Sequence, residues 1–501
     1  VSGEPLLLGL DVGTASSKAV LASPDGAVVA SAERAHGLSL PRPGWAEHDA
    51  EAVWWDDVVV LCRELLDDPA VATRVAGVCV SGIGPCLLPA DADLRPLRPA
   101  ILYGIDSRAT AEIAEVDALL GEEAIVARGG SALSSQAVGP KMVWLRRHEP
   151  DVWARTKGWY MASSYAVARL TGEYVLDHHS ASQCDPLYDL AAGDWARDWA
   201  EAIAPGVPLP RLAWPGEAVG AVHAAGARET GLPEGTPVAA GTIDAWAEAF
   251  SVGVRRAGDL MIMYGSTMFL VQVASEPVSH PALWLTAGVE PATRSFAAGM
   301  ATSGSLTNWL AELAGGVDFA TLASEAAAVP AGARGLVVLP YFAGERSPIH
   351  DPHARGVIAG LTLSHGRAEL MRAVYEGVAY GVRHNLGAFA EAGGAPARAV
   401  AVGGGTRAPL WAQIVSDVTG LAQQVPAVRI GAAYGDALLA AIAAGVVAPE
   451  TDWTTPESVV SPDPARRGRY DELYARYLEL YPATAGIVHH LAAVDQEDAD
   501  G

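Results

Sequence analysis

The sequence predicts an α/β protein made of two domains of related design. Three observations carry that reading. Short apolar runs suited to buried strands alternate along the chain with segments of helical spacing. One pattern occurs twice, at residues 6–23 and 260–273: an apolar strand, a small-residue turn holding Gly and Thr, and a second strand. The chain has 501 residues, and at about 150 residues per domain that is room for two or three domains, each with a large core.

Taken in order, residues 6–12 are almost wholly apolar, as expected of a strand buried on both faces. Residues 13–17 form the turn, and 18–23 the return strand. Pro24-Asp25-Gly26 then turns the chain into 27–32. A helix is expected over 51–66 and a strand over 75–80. A domain boundary is expected between Thr236 and Gly258: 233–237 is rich in turn residues, 238–240 reads as a strand, Gly241 to Asp244 as a turn, and 245–250 as the start of a helix. The second hairpin follows, with Gly265-Ser266-Thr267 at its turn. Further on, Leu370, Val374, Val378 and Val382 form a helical core stripe, with Gly377 and Gly381 permitting close packing. The strand 399–402 ends in Gly403-Gly404-Gly405-Thr406, before a helix with apolar residues at Leu410, Ile414 and Val418. The domains are expected at 1–243 and 244–490. The small, acidic tail 491–501 is expected to lack structure.

Acidic residues number 58 and basic ones 34, for a net charge of −24. That balance argues against a broad basic face for nucleic acid or an anionic membrane. It leaves room for a small anion, because the backbone N–H groups of one loop hold phosphate locally. The four cysteines, Cys62, Cys79, Cys86 and Cys184, form no C-x-x-C pair. This speaks against a zinc knuckle or disulfide framework and for a reducing compartment. No basic segment precedes the first apolar run, and the longest apolar stretch, 437–448, is too short to span a bilayer. A cytoplasmic protein is the expectation.

Four stretches suggest chemistry. In Asp11-Val12-Gly13-Thr14-Ala15-Ser16-Ser17-Lys18, Gly13 and the small residues after it leave N–H groups uncovered, and Asp11 stands where a Mg²⁺ ligand is useful. An ordinary polar turn reads equally well. Gly265-Ser266-Thr267 is a second such turn, and two opposed hairpins would clamp a triphosphate. In Gly241-Thr242-Ile243-Asp244, the acid is either a helix N-cap or a general base. The triple glycine at 403–405 allows close approach of a flat ligand or a phosphate, but matches neither the Rossmann nor the P-loop pattern. The pairs His178-His179 and His489-His490 lack metal spacing and read as surface loops. Trp54, Trp55, Trp195 and Trp199 read as packing residues.

Together these stretches resemble the FGGY carbohydrate kinases, from about Leu6 to Pro482, and among them most of all the xylulokinases. Gly44-Trp45-Ala46-Glu47-His48-Asp49 resembles the family's Trp-x-Glu-x-Asp stretch. Residues 97–102 with Asp106-Ser107-Arg108 resemble its sugar-site strand and Asp-x-Arg. Lys141-Met142-Val143-Trp144-Leu145 resembles the first family signature, and 356–376 the second. The resemblance implies two ribonuclease H-like, actin-like ATPase domains with a cleft between them. It implies a kinase that moves the γ-phosphate of ATP to a hydroxyl of a ketopentose or related sugar or polyol, with Mg²⁺. Asp244 would be the base and Asp11 would place the metal. Gly13, Thr14, Lys18, Gly265, Ser266 and Thr267 would hold phosphates. Gly304, Asn308, Gly404 and Gly405 would serve the nucleotide, with Trp411 and Gln413 on the adenosine-side helix. Asp106 would bind sugar hydroxyls, supported by Trp45 and Glu47. The family also implies a homodimer.

The chain departs from the family pattern in three places. Ile83-Gly84-Pro85 stands where Gln-Met-His is usual in xylulokinases, Val138 stands where the first signature expects Pro, Ser or Thr, and the base motif is Gly-Thr-Ile-Asp-Ala in place of Gly-Gly-Gly-Asp-Asn. D-xylulose, L-xylulose, ribulose and polyols all stay open as acceptors. A nucleotide-gated ATPase of the actin or heat-shock type is the alternative of another class.

Overall fold

The structure, a computed structural model, describes residues 3–500, with side chains as far as Asp495. The chain divides into two compact units. The first comprises residues 1–255, 285–294 and 430–454; the second comprises 256–284, 295–429 and 455–501.

Among the described residues, the first unit is built on a six-stranded sheet. Its strands are β1 (Leu6–Val12), β2 (Ser16–Ala22), β3 (Val28–Ala35), β4 (Val75–Gly82), β5 (Ala218–Ala221) and β6 (Pro237–Ala239), in the order β5-β6-β4-β1-β2-β3. β1 pairs antiparallel with β2 and parallel with β4. Leu6, Leu7, Leu8 and Leu10 are all buried, as a strand covered on both faces requires. The helix Ala432–Ala443, late in the sequence, returns to lie on β1 and β4. Glycines allow the contact. A Cβ at Gly9 would stand 2.0 Å from the Ala433 carbonyl oxygen, and one at Gly77 would stand 2.6 Å from that of Ala440.

The second unit repeats the design. Its strands are β7 (Asp259–Tyr264), β8 (Met268–Ala274), β9 (Arg294–Met300), β10 (Arg398–Val402), β11 (Gln423–Pro426) and β12 (Pro456–Val460), running β9-β8-β7-β10-β11-β12. β7 pairs antiparallel with β8 and parallel with β10, β10 is parallel to β11, and β12 is antiparallel to β11. In the first unit β4 is parallel to β6 and β5 is antiparallel to β6, so these directions agree, although the edge strand β5 precedes its neighbour in the chain and β12 follows its own. The helix Arg367–Glu391 buries Val374, Val378 and Val382 of the expected stripe, while Leu370 in its first turn is half-buried.

Two expectations are corrected. The spatial division is not a single cut at 243/244: residues 244–255 and 430–454 belong to the first unit, because the helix Ala432–Ala443 covers its sheet. The tail from 491 is not without structure, since the helix Arg467–Asp500 runs through it; Gly501 lies outside the described residues. All four cysteines are free and buried. Among the described residues, no helix is long and apolar enough to cross a membrane.

Candidate active site

The first hairpin loop is a tight turn held from behind. Gly13 N–H donates to the Ser16 carbonyl at 3.1 Å, and a Cβ at Gly13 would stand 2.6 Å from that same oxygen. His36 closes the back of the loop. Its Nδ1 lies 2.7 Å from Asp57 Oδ2 and its Nε2 lies 3.1 Å from the Gly13 carbonyl oxygen, so both ring nitrogens face oxygen atoms. Ser17 Oγ donates to the same Asp57 oxygen at 2.6 Å. In front, Thr14 Oγ1 lies 3.0 Å from the Tyr103 hydroxyl. Tyr103 is steadied by Lys141, whose buried Nζ donates to the carbonyls of Leu102 (2.7 Å) and Tyr103 (3.3 Å). Burial pulls the Lys141 ammonium down to about 8.

Three carboxyl groups interact beside this loop. Asp11 stands near the end of β1, opposite Lys18 on β2. Asp244 is the first residue of the helix Asp244–Ser251, and Glu248 lies one turn on. Asp244 does not cap the helix. Ile243 occupies the cap position, and among the described residues the Asp244 carboxylate accepts from its neighbour Ala245 N–H, at 2.7 Å. Burial, then the charges of Asp244 and Glu248, push Asp11 up to about 8, with Lys18 pulling the other way. Burial raises Asp244 to about 6. Burial and the Asp244 charge raise Glu248 to about 7. Behind Asp11, Ser81 Oγ lies 3.4 Å from Asp11 Oδ1 and 2.5 Å from Oδ2 of the buried Asp436, which burial holds well above the carboxylate range.

Among the described residues, no three His, Cys, Asp or Glu side chains are grouped to hold a metal by themselves. A hard divalent cation taking one or two carboxylates, waters and phosphate oxygens still fits here. Three mutually repelling acids with one lysine beside them are a donor set that such a cation neutralises.

The structure brings Trp45, Glu47 and Asp106 together with Arg108. The Arg108 guanidinium lies 3.9 Å from the Trp45 ring centroid. Its Nη1 lies 2.8 Å from Glu47, which also pairs with Arg98. Asp106 is fully buried; it accepts from Ala46 N–H at 2.7 Å and from Arg108 Nη2 at 2.6 Å. Folded this way, Asp106 holds Arg108 and presents no open carboxylate to a hydroxyl.

In the second unit the loop is held by main chain. Gly265 N–H donates to Thr267 O (3.0 Å). The N–H groups that begin the helix Gly304–Leu313 donate back to the loop: Gly304 to Gly265 O at 3.0 Å, with Ser303 (3.0 Å) and Ser305 (3.1 Å) both reaching Ser266 O. A Cβ at Gly304 would stand 2.6 Å from Gly265 O. Ser266 and Thr267 are exposed, as is Asn308 one turn along that helix. Gly403, at φ +87°, packs on Tyr264 at the end of β7, Gly405 lies against Trp411, and Gly404 is exposed. Gln413 donates to Asp417 at 2.7 Å. A cavity of about 640 Å³ opens beside Gly404, walled by Phe319, Ala323, Ser324, Arg407 and Leu410.

Residues 6–251 match the N-terminal domain of the FGGY family of carbohydrate kinases, and residues 260–444 match the C-terminal domain of the same family. The chain belongs to the FGGY family of carbohydrate kinases. This FGGY chain is 31% identical over 450 residues to a xylulose kinase of Escherichia coli, covering 88% of this chain and 90% of the relative. It is 30% identical over 455 residues to a glycerol kinase of Nocardia farcinica, covering 87% and 89%. The crystal structure of xylulose kinase from Rhodospirillum rubrum superposes with a TM-score of 0.90 at 36% identity, over 97% of this chain and all of that one. The two units thus carry the actin-like ATPase design, and the protein is an ATP-dependent carbohydrate kinase of xylulokinase-like sequence.

Several FGGY site neighbours escaped the sequence reading. Glu248 had a signal, the helical spacing of four from Asp244. Asp436 had one too, as the lone carboxylate opening an Ala-rich apolar run. His36, Asp57 and Ser81 had none, because their partners are distant in sequence. His179, expected on a surface loop, is fully buried.

Proposed function

We propose that this FGGY kinase transfers the γ-phosphate of ATP to a hydroxyl of a ketopentose of the xylulose class, with Asp244 as general base. The observation that carries the reading is Asp244 itself: an acid at a helix start, not used as a cap, half-buried and raised to about 6. That value lies close enough to neutrality for an effective proton acceptor, and still leaves the group ionised at pH 7. The acceptor hydroxyl gives its proton to Asp244 as its oxygen attacks the γ-phosphorus in line. The transition state is loose, so placement and charge neutralisation do most of the catalysis. Gly13, Thr14 and Lys18 in the first unit, and Gly265, Ser266 and Thr267 in the second, are the proposed phosphate contacts. Gly304, Asn308, Gly404 and Gly405 are the proposed nucleotide-side contacts. Mg²⁺, held by Asp11, would supply charge neutralisation at the phosphate oxygens. Arg108, fixed by Asp106 and Glu47, backs Trp45 on the proposed sugar side.

The xylulose class follows from the names of the relatives. Ile83, in the departing segment, is buried and brings no polar group, and the similarity to a glycerol kinase keeps a polyol as the second reading. An ADP-release assay over ketopentoses, hexuloses and polyols tests both. Turnover highest with a ketopentose supports the first reading, and turnover confined to polyols replaces it with the second.

A further inference from the structure

The turn that carries Asp244 is gripped on both sides by one corner of the chain. The strand Val175–Asp177 ends there and turns into the short helix His178–Ser182. Asp177 caps that helix, accepting Ser180 N–H at 3.0 Å, and the same oxygen accepts the Thr242 hydroxyl at 2.9 Å. Thr242 stands two residues before Asp244. Two residues after it, the Trp246 ring lies 4.1 Å, centroid to centroid, from His179. The His179 ring is itself locked. Its Nδ1–H donates to the Ala287 carbonyl at 2.7 Å, and its Nε2 accepts from the Gln183 amide at 2.7 Å, which fixes one neutral tautomer.

The Asp177 contact is costly as a stability device. Its carboxyl is buried, and Oδ2 has no hydrogen-bond partner among the described residues. Burying an acid with one oxygen unpaired costs free energy that a neutral side chain would not. What the acid contributes is direction. Thr242 is wholly buried, and its carbonyl accepts Gly82 N–H at 3.2 Å. With the hydroxyl tied as well, both ends of the residue are fixed, and the helix leaves the turn along one line. Thr242 also belongs to the departing base motif of this chain, and a glycine there would have no hydroxyl to tie.

We propose that Asp177, acting through the Thr242 hydroxyl, is a positioning residue that sets the line along which Asp244 meets the acceptor hydroxyl. This rests on the reading of Asp244 as the base. The test uses the full chain with the acceptor that turns over fastest. Thr242→Val keeps the shape and removes the hydroxyl; it lowers kcat about 10- to 100-fold and leaves KM for ATP within about twofold, as expected for a misaligned base. Thr242→Ser and Asp177→Asn each keep the hydrogen bond and hold kcat within about threefold of the wild type. Hydrogen exchange of the 241–247 backbone rises in Thr242→Val and not in Thr242→Ser. The proposal is overturned if Thr242→Val turns over like the wild type, if Thr242→Ser loses as much as Thr242→Val, or if the losses simply track the thermal midpoints. A wild type that phosphorylates no acceptor overturns the reading of Asp244 and the catalytic part of this proposal with it. Unchanged exchange in Thr242→Val removes the latch whatever the activity.

Discussion

The two hairpin loops share a backbone plan and differ in what stands behind them. The loop at Gly13 is backed by ionisable side chains, with His36 and Asp57 behind it and Asp11, Asp244 and Glu248 beside it. The loop at Gly265 is backed by three main-chain N–H groups from the start of a helix. Both units share an antiparallel hairpin with a parallel strand beside it, so that common core alone does not dictate this division. The first loop thus has ionisable groups around it, and the second is braced by neutral main-chain donors.

Asp244→Asn breaks the acidic side most severely. Removal of a general base lowers kcat by about 10³-fold, while KM for ATP stays near the wild-type value in steady-state assays. Near-normal turnover would remove Asp244 from the chemistry and leave the acid cluster without a task.

Gly304→Val attacks the neutral side. Its Cβ would stand 2.6 Å from the Gly265 carbonyl oxygen, so the loop or the helix start must shift. Overpacking of this kind costs about 1–3 kcal/mol, expected here as a rise in KM for ATP of about tenfold or more, with a smaller change in kcat. A pure kcat effect would erase the distinction between the loops.

The pH dependence of stability sharpens the contrast. Asp11, Glu248 and Asp244 are all raised, to about 8, 7 and 6. Between the ordinary carboxyl range and those values the folded chain keeps protons that the unfolded chain has released. Stability from these groups is therefore complete at low pH and declines as pH rises through about 8. Without Mg²⁺ the thermal midpoint should fall from pH 5 to pH 8. Added Mg²⁺ should restore it at the upper end, and Asp11→Asn should flatten the slope. A midpoint insensitive to pH and Mg²⁺ would mean that the acids do not interact as placed.

His36→Asn should have the smallest effect, losing about 1 kcal/mol of loop support and raising KM for ATP a few-fold. A variant indistinguishable from the wild type by both calorimetry and kinetics would show that the backbone turn holds itself.

The hairpins and their turns were legible because the information is local: apolar runs, small residues and Gly within a few positions of one another. Asp244 was legible as a candidate by its motif, although only the structure shows that it is not the cap. What stayed hidden depends on residues far apart. Asp106 looks like an open acid in sequence and is sealed by Arg108 and by Ala46, sixty positions upstream. His179 looks like half of a surface pair and is buried against Trp246 and the Ala287 carbonyl. In the same way, no residue near Asp244 announces that 430–454 rejoin the first unit in space.

That return has a consequence for synthesis. Protein chains emerge N-terminus first, and early domains commonly fold as they appear. Here β1 and β4 lack the cover of the helix Ala432–Ala443 until synthesis has passed residue 443. The glycines at 9 and 77, shaped to receive that helix, leave an apolar sheet face waiting through the translation of the second unit. The unit that begins first is therefore completed late, and a ribosome-bound chain stopped before residue 430 would present that face to chaperones.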